Sequence, residues 1–318
     1  MSQSITQLLA ELQDPSANIS DERLAELSDL GKQAAQAFAT SWKQVDTQRR
    51  REIVQTLGRL ADEFIELTFE AINLLAVQDR DGEVRRLAIQ NLWECTDPKL
   101  IEPLLQSVRE DQNVSVRSAA ATALGRYVWL GEIDEILPEQ LRLVEDELLK
   151  TIETDDEEIV QRMAIESLGY SSRVEVGPII ETAFQSASEA FRRSAIFAMG
   201  RSANVVWSTQ VLISLTDSSP EIRREAARAA GELEIKGAIE PLIELLDDVD
   251  DEVRAAAIWS LGQLGGSQAE EALLALLDQS DDDALTKLIQ DALEYLAFVD
   301  GTADFPFLGI DEEPGTTL

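Results

Sequence analysis

The chain has 318 residues, 44% of them hydrophobic, which is enough apolar material for a large core. Its 61 acidic and 27 basic side chains give a net charge of −34, which excludes the basic footprint of a nucleic-acid binder and disfavours an anionic membrane surface. With no histidine and a single cysteine, Cys95, the chain lacks imidazole acid–base chemistry, Ser–His or Cys–His nucleophiles, an intrachain disulfide and a multi-thiolate zinc site.

Residues 1–45 read as helical but match the rest of the chain poorly, as expected of an N-terminal cap over an exposed end of the core. The opening MSQSITQLLAELQDPS has no basic segment and no continuous apolar stretch, so no secretory signal is expected. No run reaches the roughly 18 apolar residues of a membrane span. The expectation is therefore a cytoplasmic protein.

From residue 46 to 296 a repeat dominates. Its copies include DGEVRRLAIQNLW (81–93), NVSVRSAAATALG (113–125), DEEIVQRMAIESLG (156–169), SEAFRRSAIFAMG (188–200), SPEIRREAARAAG (219–231) and DDEVRAAAIWSLG (250–262). The marker positions are Arg50, Arg85, Arg117, Gln161, Arg192, Arg223 and Arg254, with a degenerate copy at Thr286 and another at Arg23. Eight residues after most markers stands a glycine, where a left-handed helix terminus would use it; Trp93 replaces it once and reads as packing. Six residues before most markers stands an aspartate: Asp79, Asp111, Asp155, Asp217 and Asp248. That position suits an inter-helix turn or an N-terminal cap.

Val253, Ala257, Ile258 and Leu261 fall on one face of a helix, so each marker segment is predicted helical. A second helix precedes each marker, as in 99–111, 175–187, 237–248 and 268–279, with Pro103, Pro178 and Pro241 near the starts. Marker spacing is near 31 residues except between Arg117 and Gln161. The surplus there falls in 127–146, a longer connection or a helix extension. Residues 297–318 read as an acidic, irregular tail, whose Phe305, Phe307, Leu308 and Ile310 are expected to fold over the last repeat.

The marker pattern [DE]-x-V-R-x-x-A-x-x-x-L-G, clearest in DEVRAAAIWSLG and NVSVRSAAATALG, resembles HEAT repeats. Within them it is similar to the short HEAT-like repeats of phycobilisome lyase subunits, and the general layout resembles bacterial HEAT-repeat proteins. The resemblance implies an all-α, right-handed, armadillo-like solenoid of about eight to nine helical hairpins, with marker helices on its concave side. It is specific for fold and weak for function. Deoxyhypusine hydroxylase holds iron with His–Glu pairs, which a chain without histidine does not carry. HEAT-like DNA glycosylases use a cationic face that a net charge of −34 fits badly. No bilin-handling residue is matched.

More than half of the basic residues lie on or just past the marker helices. The marker arginines are expected to form a structural ladder with aspartates of their own turn or of a neighbouring repeat. One position later come Arg51, Arg86, Arg162, Arg193 and Arg224; four further on come Phe197, Arg228 and Trp259. These two positions share a face away from the apolar stripe. They are expected to form a locally basic, aromatic-spotted strip on an acidic protein. The leading expectation is a non-enzymatic scaffold that binds a protein or peptide with acidic groups through Arg51, Arg86, Arg162, Arg193, Phe197, Arg224, Arg228 and Trp259. No cofactor or metal is expected. A lyase-like enzyme subunit handling a small molecule or pigment, and a polyanion mimic binding a basic protein, remain open. The aspartate runs at 247–251 and 281–283 lack the spacing of a calcium loop, GQLGG (262–266) reads as a turn, and Cys95 reads as an inert thiol.

Overall fold

The computed structural model describes residues 3–14 and 16–303, and the four apolar tail residues lie outside this range. Every regular element among the described residues is helical. The chain divides into two compact units, Met1–Val176 and Gly177–Leu318, each of which is a stack of paired helices in two layers.

The first unit contains α1 (Gln3–Gln13), α2 (Asp21–Ala25), α3 (Lys32–Trp42), α4 (Thr47–Glu63), α5 (Glu70–Ala76), α6 (Gly82–Asn91), α7 (Ile101–Glu110), α8 (Val114–Glu132), α9 (Pro138–Thr154) and α10 (Glu158–Leu168). Its marker layer runs α2, α4, α6, α8, α10, each helix packing on the next. The other layer includes α1, α3 and α5 in succession, and α7 against α9. The N-terminal helices thus extend the same two layers, with the short α2, which carries Arg23, at the end of the marker row. The surplus at 127–146 lengthens α8 and opens α9, separated by a turn in which Asp134 has φ 61°.

The second unit holds α11 (Val176–Phe184), α12 (Glu189–Arg201), α13 (Ser208–Ser214), α14 (Pro220–Glu232), α15 (Ile239–Glu244), α16 (Asp251–Leu264), α17 (Ser267–Gln279) and α18 (Asp283–Ala303). Here α12, α14, α16 and α18 form the marker row. The last helix continues to Ala303, beyond the expected start of the tail at 297.

Helix α16 shows why these segments fold as they do. The Asp250 carboxylate accepts from the backbone N–H of Glu252 and Val253, satisfying two donors that a helix start leaves open. Val253, Ala257, Ile258 and Leu261 are fully buried along one stripe. Pro103, Pro178 and Pro241 stand in the first turns of α7, α11 and α15, as expected.

The marker glycines do not act as left-handed caps. Gly58, Gly125, Gly200, Gly231 and Gly262 all lie within helices, and only Gly265 and Gly266 have positive φ among the described glycines. The left-handed turn comes three residues later, at Ala203 (48°), Glu234 (51°) and Gly265 (65°). The glycines instead permit marker helices to touch. A Cβ on Gly231 would lie 2.8 Å from Ser260 Oγ, and one on Gly262 would lie 2.8 Å from the Ala292 carbonyl oxygen. Trp93 departs from its expected packing role for the same geometric reason. Helix α6 ends at Asn91, so Trp93 falls in the following turn rather than in the seam, and is 61% exposed.

Candidate functional site

The marker arginines are ladder rungs. Five of them donate from Nη1 to the backbone carbonyl six residues earlier: Arg85 to Asp79 (2.7 Å), Arg117 to Asp111 (3.0 Å), Arg192 to Ser186 (3.0 Å), Arg223 to Asp217 (2.8 Å) and Arg254 to Asp248 (2.7 Å). For Arg85, Arg117 and Arg223 the carboxylate engaged belongs to the next repeat, not to its own turn, whereas Arg254 pairs with Asp251 of its own helix. Arg85 grips Asp111 (2.6 and 2.8 Å), Arg117 grips Asp155 (2.7 and 3.1 Å) and Arg223 grips Asp248 (2.7 and 2.8 Å), all in bidentate pairs. Each of these aspartates also accepts from the backbone N–H two residues on, fixing the inter-helix turn. The N-terminal caps sit two residues later, at Asp81, Asn113, Ser219 and Asp250. Gln161 replaces a marker arginine and still reaches its own turn carbonyl, at Asp155, at 2.7 Å.

Arg50 is the most buried rung, only 1% exposed. Its Nε lies 3.1 Å from Asp79 Oδ2, its Nη1 donates to the Val45 carbonyl at 2.9 Å, and its guanidinium stands 6.0 Å from the Trp42 ring centroid. The indole of Trp42 also donates to Asp79.

In the first unit the next row of arginines is engaged within the fold. Arg51 makes a bidentate pair with Asp81 (2.9 and 2.7 Å), and Arg86 pairs with Glu83 and donates to Gln90. Arg162 departs from the solvent-facing expectation: it is 8% exposed and lies 3.7 Å from Glu158. Glu83 and Glu158 lie three and four residues before their arginines on the same helix and could be read from spacing, whereas the Asp81 partner of Arg51, 30 residues away, could not.

The hydrogen bonds from Arg51 hold the Asp81 carboxyl at about 2, below the usual aspartate value. The Arg223 contact likewise lowers Asp248. Such groups stabilise the fold fully above their unfolded values, and that contribution is lost as pH falls through the folded ones. Burial acts in the opposite direction on Glu145 and Glu232, raising both carboxyls, so these two favour the fold as pH drops. Asparagine caps helices about as well as aspartate, so Asp81→Asn isolates the charge. The melting-temperature difference between the parent and Asp81→Asn is expected to be constant above pH 5, to shrink below pH 4 and to close near pH 2. A difference unchanged down to pH 2 in thermal scans would contradict this assignment.

The second unit is arranged differently. The residues five past the marker on three successive marker helices, Phe197 on α12, Arg228 on α14 and Trp259 on α16, follow Arg193 and Arg224 by one turn or face them from the next helix. Arg193 reaches Glu221 at 3.0 Å. Arg224 and Arg228 make no hydrogen bond or close ion pair among the described residues, and Arg228 is exposed. Trp259 is 36% exposed, with its ring edge against Gly231. Two further members escaped the sequence reading. The Arg201 guanidinium lies 5.0 Å from the Phe197 ring centroid and its Nη2 3.8 Å from Glu232. Burial raises the Glu232 carboxyl, while Arg201 and Arg228 pull it back. The signal for Arg201 was its place nine residues after a marker, one turn beyond Phe197.

Among the described residues no group of three His, Cys, Asp or Glu side chains is placed to hold a metal ion, and no helix is long and apolar enough to cross a membrane.

A family model for HEAT repeats matches residues 69–143 and 208–294, just over half of the chain. No curated protein matches the sequence. Among solved structures, the chain is similar to one from the CpcE–CpcF complex of phycocyanin lyase from Nostoc, at 18% identity and TM-score 0.48, covering 72% of this chain and 95% of that one. It is similar to human deoxyhypusine hydroxylase at 18% identity and TM-score 0.39, covering 93% and 96%. It is also similar to importin beta at 13% identity and TM-score 0.48, covering 92% of this chain and 44% of that one.

Proposed function

This chain belongs to the HEAT-repeat family, and from that premise we propose that it is a non-enzymatic scaffold whose second unit binds a protein segment rich in carboxylates. The observation that carries this reading is the contrast between neighbouring arginines on α14. Arg223 is committed to Asp248, whereas among the described residues Arg224 forms no ion pair and Arg228 has only a longer-range attraction to Glu232, in a strongly acidic protein. Bidentate guanidinium–carboxylate pairs suit a partner's Asp or Glu side chains. Phe197 and Trp259 supply apolar anchorage on either side, and Arg193 and Arg201, which already face Glu221 and Glu232, border the strip. Arg51, Arg86 and Arg162 contribute through the fold rather than through this surface, because their guanidinium groups already face the chain's own carboxylates.

The test is capture from native lysate with the parent protein and with an Arg224→Glu/Arg228→Glu variant. A protein retained by the parent is expected to be lost, by at least tenfold, from the variant. Equal retention of the same proteins by both would overturn the assignment.

A further inference from the structure

The first unit carries an apolar feature that the ladder and the second-unit strip leave unexplained. Three large apolar side chains stand in solvent together around the ends of α4 and α6: Phe64 at 45%, Ile65 at 100% and Trp93 at 61% exposed. Scattered exposed apolar residues are ordinary, but here Ile65 and Trp93 border one cavity of about 720 Å³. Its wall is held rigidly. The Asn91 amide donates to the Val54 carbonyl (2.8 Å) and to Asn73 Oδ1 (3.1 Å), while Asn73 donates to the Phe69 carbonyl (3.2 Å). Gly58 leaves room for Asn91, since a Cβ there would lie 2.3 Å from its Oδ1. A preformed wall spares a ligand the entropy of ordering it.

The lining also has a definite charge. Asp62, Glu70 and Glu94 border the cavity, no basic side chain does, and none of the three forms an ion pair among the described residues. This is unlike the ladder aspartates Asp111, Asp155 and Asp248, each of which is satisfied by an arginine. An apolar opening edged by unneutralised carboxylates complements an apolar anchor flanked by cations.

We propose that this cavity docks a peptide segment of a partner protein in which an aromatic or leucine side chain is flanked by Lys or Arg. Its chemistry is opposite to that of the carboxylate-binding strip on the second unit, so the two surfaces select different segments. The anchor enters against Trp93 and Ile65, and the flanking cations meet Asp62, Glu70 and Glu94.

Selection of random 12-residue displayed peptides on the full chain tests this, followed by anisotropy titration of the enriched peptides. Enriched sequences are expected to combine an aromatic or leucine with Lys or Arg. Their affinity is expected to fall at least tenfold on Trp93→Ala or Ile65→Ser, and again on Asp62→Lys/Glu94→Lys. All of these positions are exposed, so melting temperatures should stay within a few degrees of the parent. The proposal is overturned if no peptide is enriched, if enriched peptides bind Trp93→Ala and Ile65→Ser as well as they bind the parent, or if Glu-flanked peptides bind as tightly as Lys-flanked ones.

Discussion

Replacing Arg50 by alanine is expected to cost about 3–5 kcal/mol of stability, the range for a buried ion pair that loses one partner. Arg50 is 1% and Asp79 4% exposed in their side chains, so the carboxylate left behind lies out of water with one donor fewer. The Trp42 indole and the Asp81 backbone N–H still bond Asp79, but without Arg50 the carboxylate loses its ion-pair partner. The Val45 carbonyl loses its donor as well. Arg254 provides the comparison. Its carboxylate partner, Asp251, is 86% exposed, so Arg254→Ala is expected to cost only about 0–1 kcal/mol for that pair. Denaturant unfolding of the two variants, followed by helical circular dichroism, reads the difference. Equal losses would mean that burial does not distinguish the rungs.

The second large effect is expected at a glycine. Gly262→Val places a branched side chain where even a Cβ would lie 2.8 Å from the Ala292 carbonyl oxygen and 3.1 Å from its Cα. Backbone cannot rotate aside as a side chain does, so α16 and α18 must separate. Overpacking of this kind costs about 1–3 kcal/mol or more, well above the gain of up to about 1 kcal/mol from removing a helical glycine. Gly301 in α18 is the control, because nothing lies within 4 Å of a Cβ there and no proline follows it. Gly301→Ala is therefore expected to be neutral or to stabilise by about 0.5 kcal/mol. Thermal melting of both variants checks the pair of signs. A stable Gly262→Val protein would show that the marker glycines are not there for close approach.

The glycines also show what the sequence could and could not convey. A period near 31 residues with an apolar stripe specifies helices and their stacking, because that stripe can be buried only against another copy. Glycine eight residues past the marker is compatible with a helix end and with a crowded helix crossing, and the repeat pattern does not separate the two. The residues that do adopt the left-handed turn include Ala203 and Glu234, which carry no glycine signal. The ladder was legible as an Asp–Arg pairing, yet its direction depends on which carboxylate stands opposite across the stack. That is a tertiary fact, and it places Asp111 on Arg85 and Asp248 on Arg223. The same limit applies to the candidate site. Arg51 and Arg224 each stand one residue past a marker, but Asp81 takes up the first and no carboxylate among the described residues takes up the second. The exposure of Trp93 followed from α6 ending at Asn91, a boundary that periodicity fixes only within a few residues.

Two adjacent side chains on α14 carry the central claim, that on this helix the marker arginine holds repeats together while the arginine after it is kept for a partner. The most direct measurement takes the partner captured by the parent protein and records its affinity together with the melting temperature for Arg223→Ala and for Arg224→Glu/Arg228→Glu. The account predicts a lowered melting temperature for Arg223→Ala. For the double variant it predicts an unchanged melting temperature with at least tenfold weaker binding. Full binding by a folded double variant, or a melting temperature lowered as much as in Arg223→Ala, would contradict it.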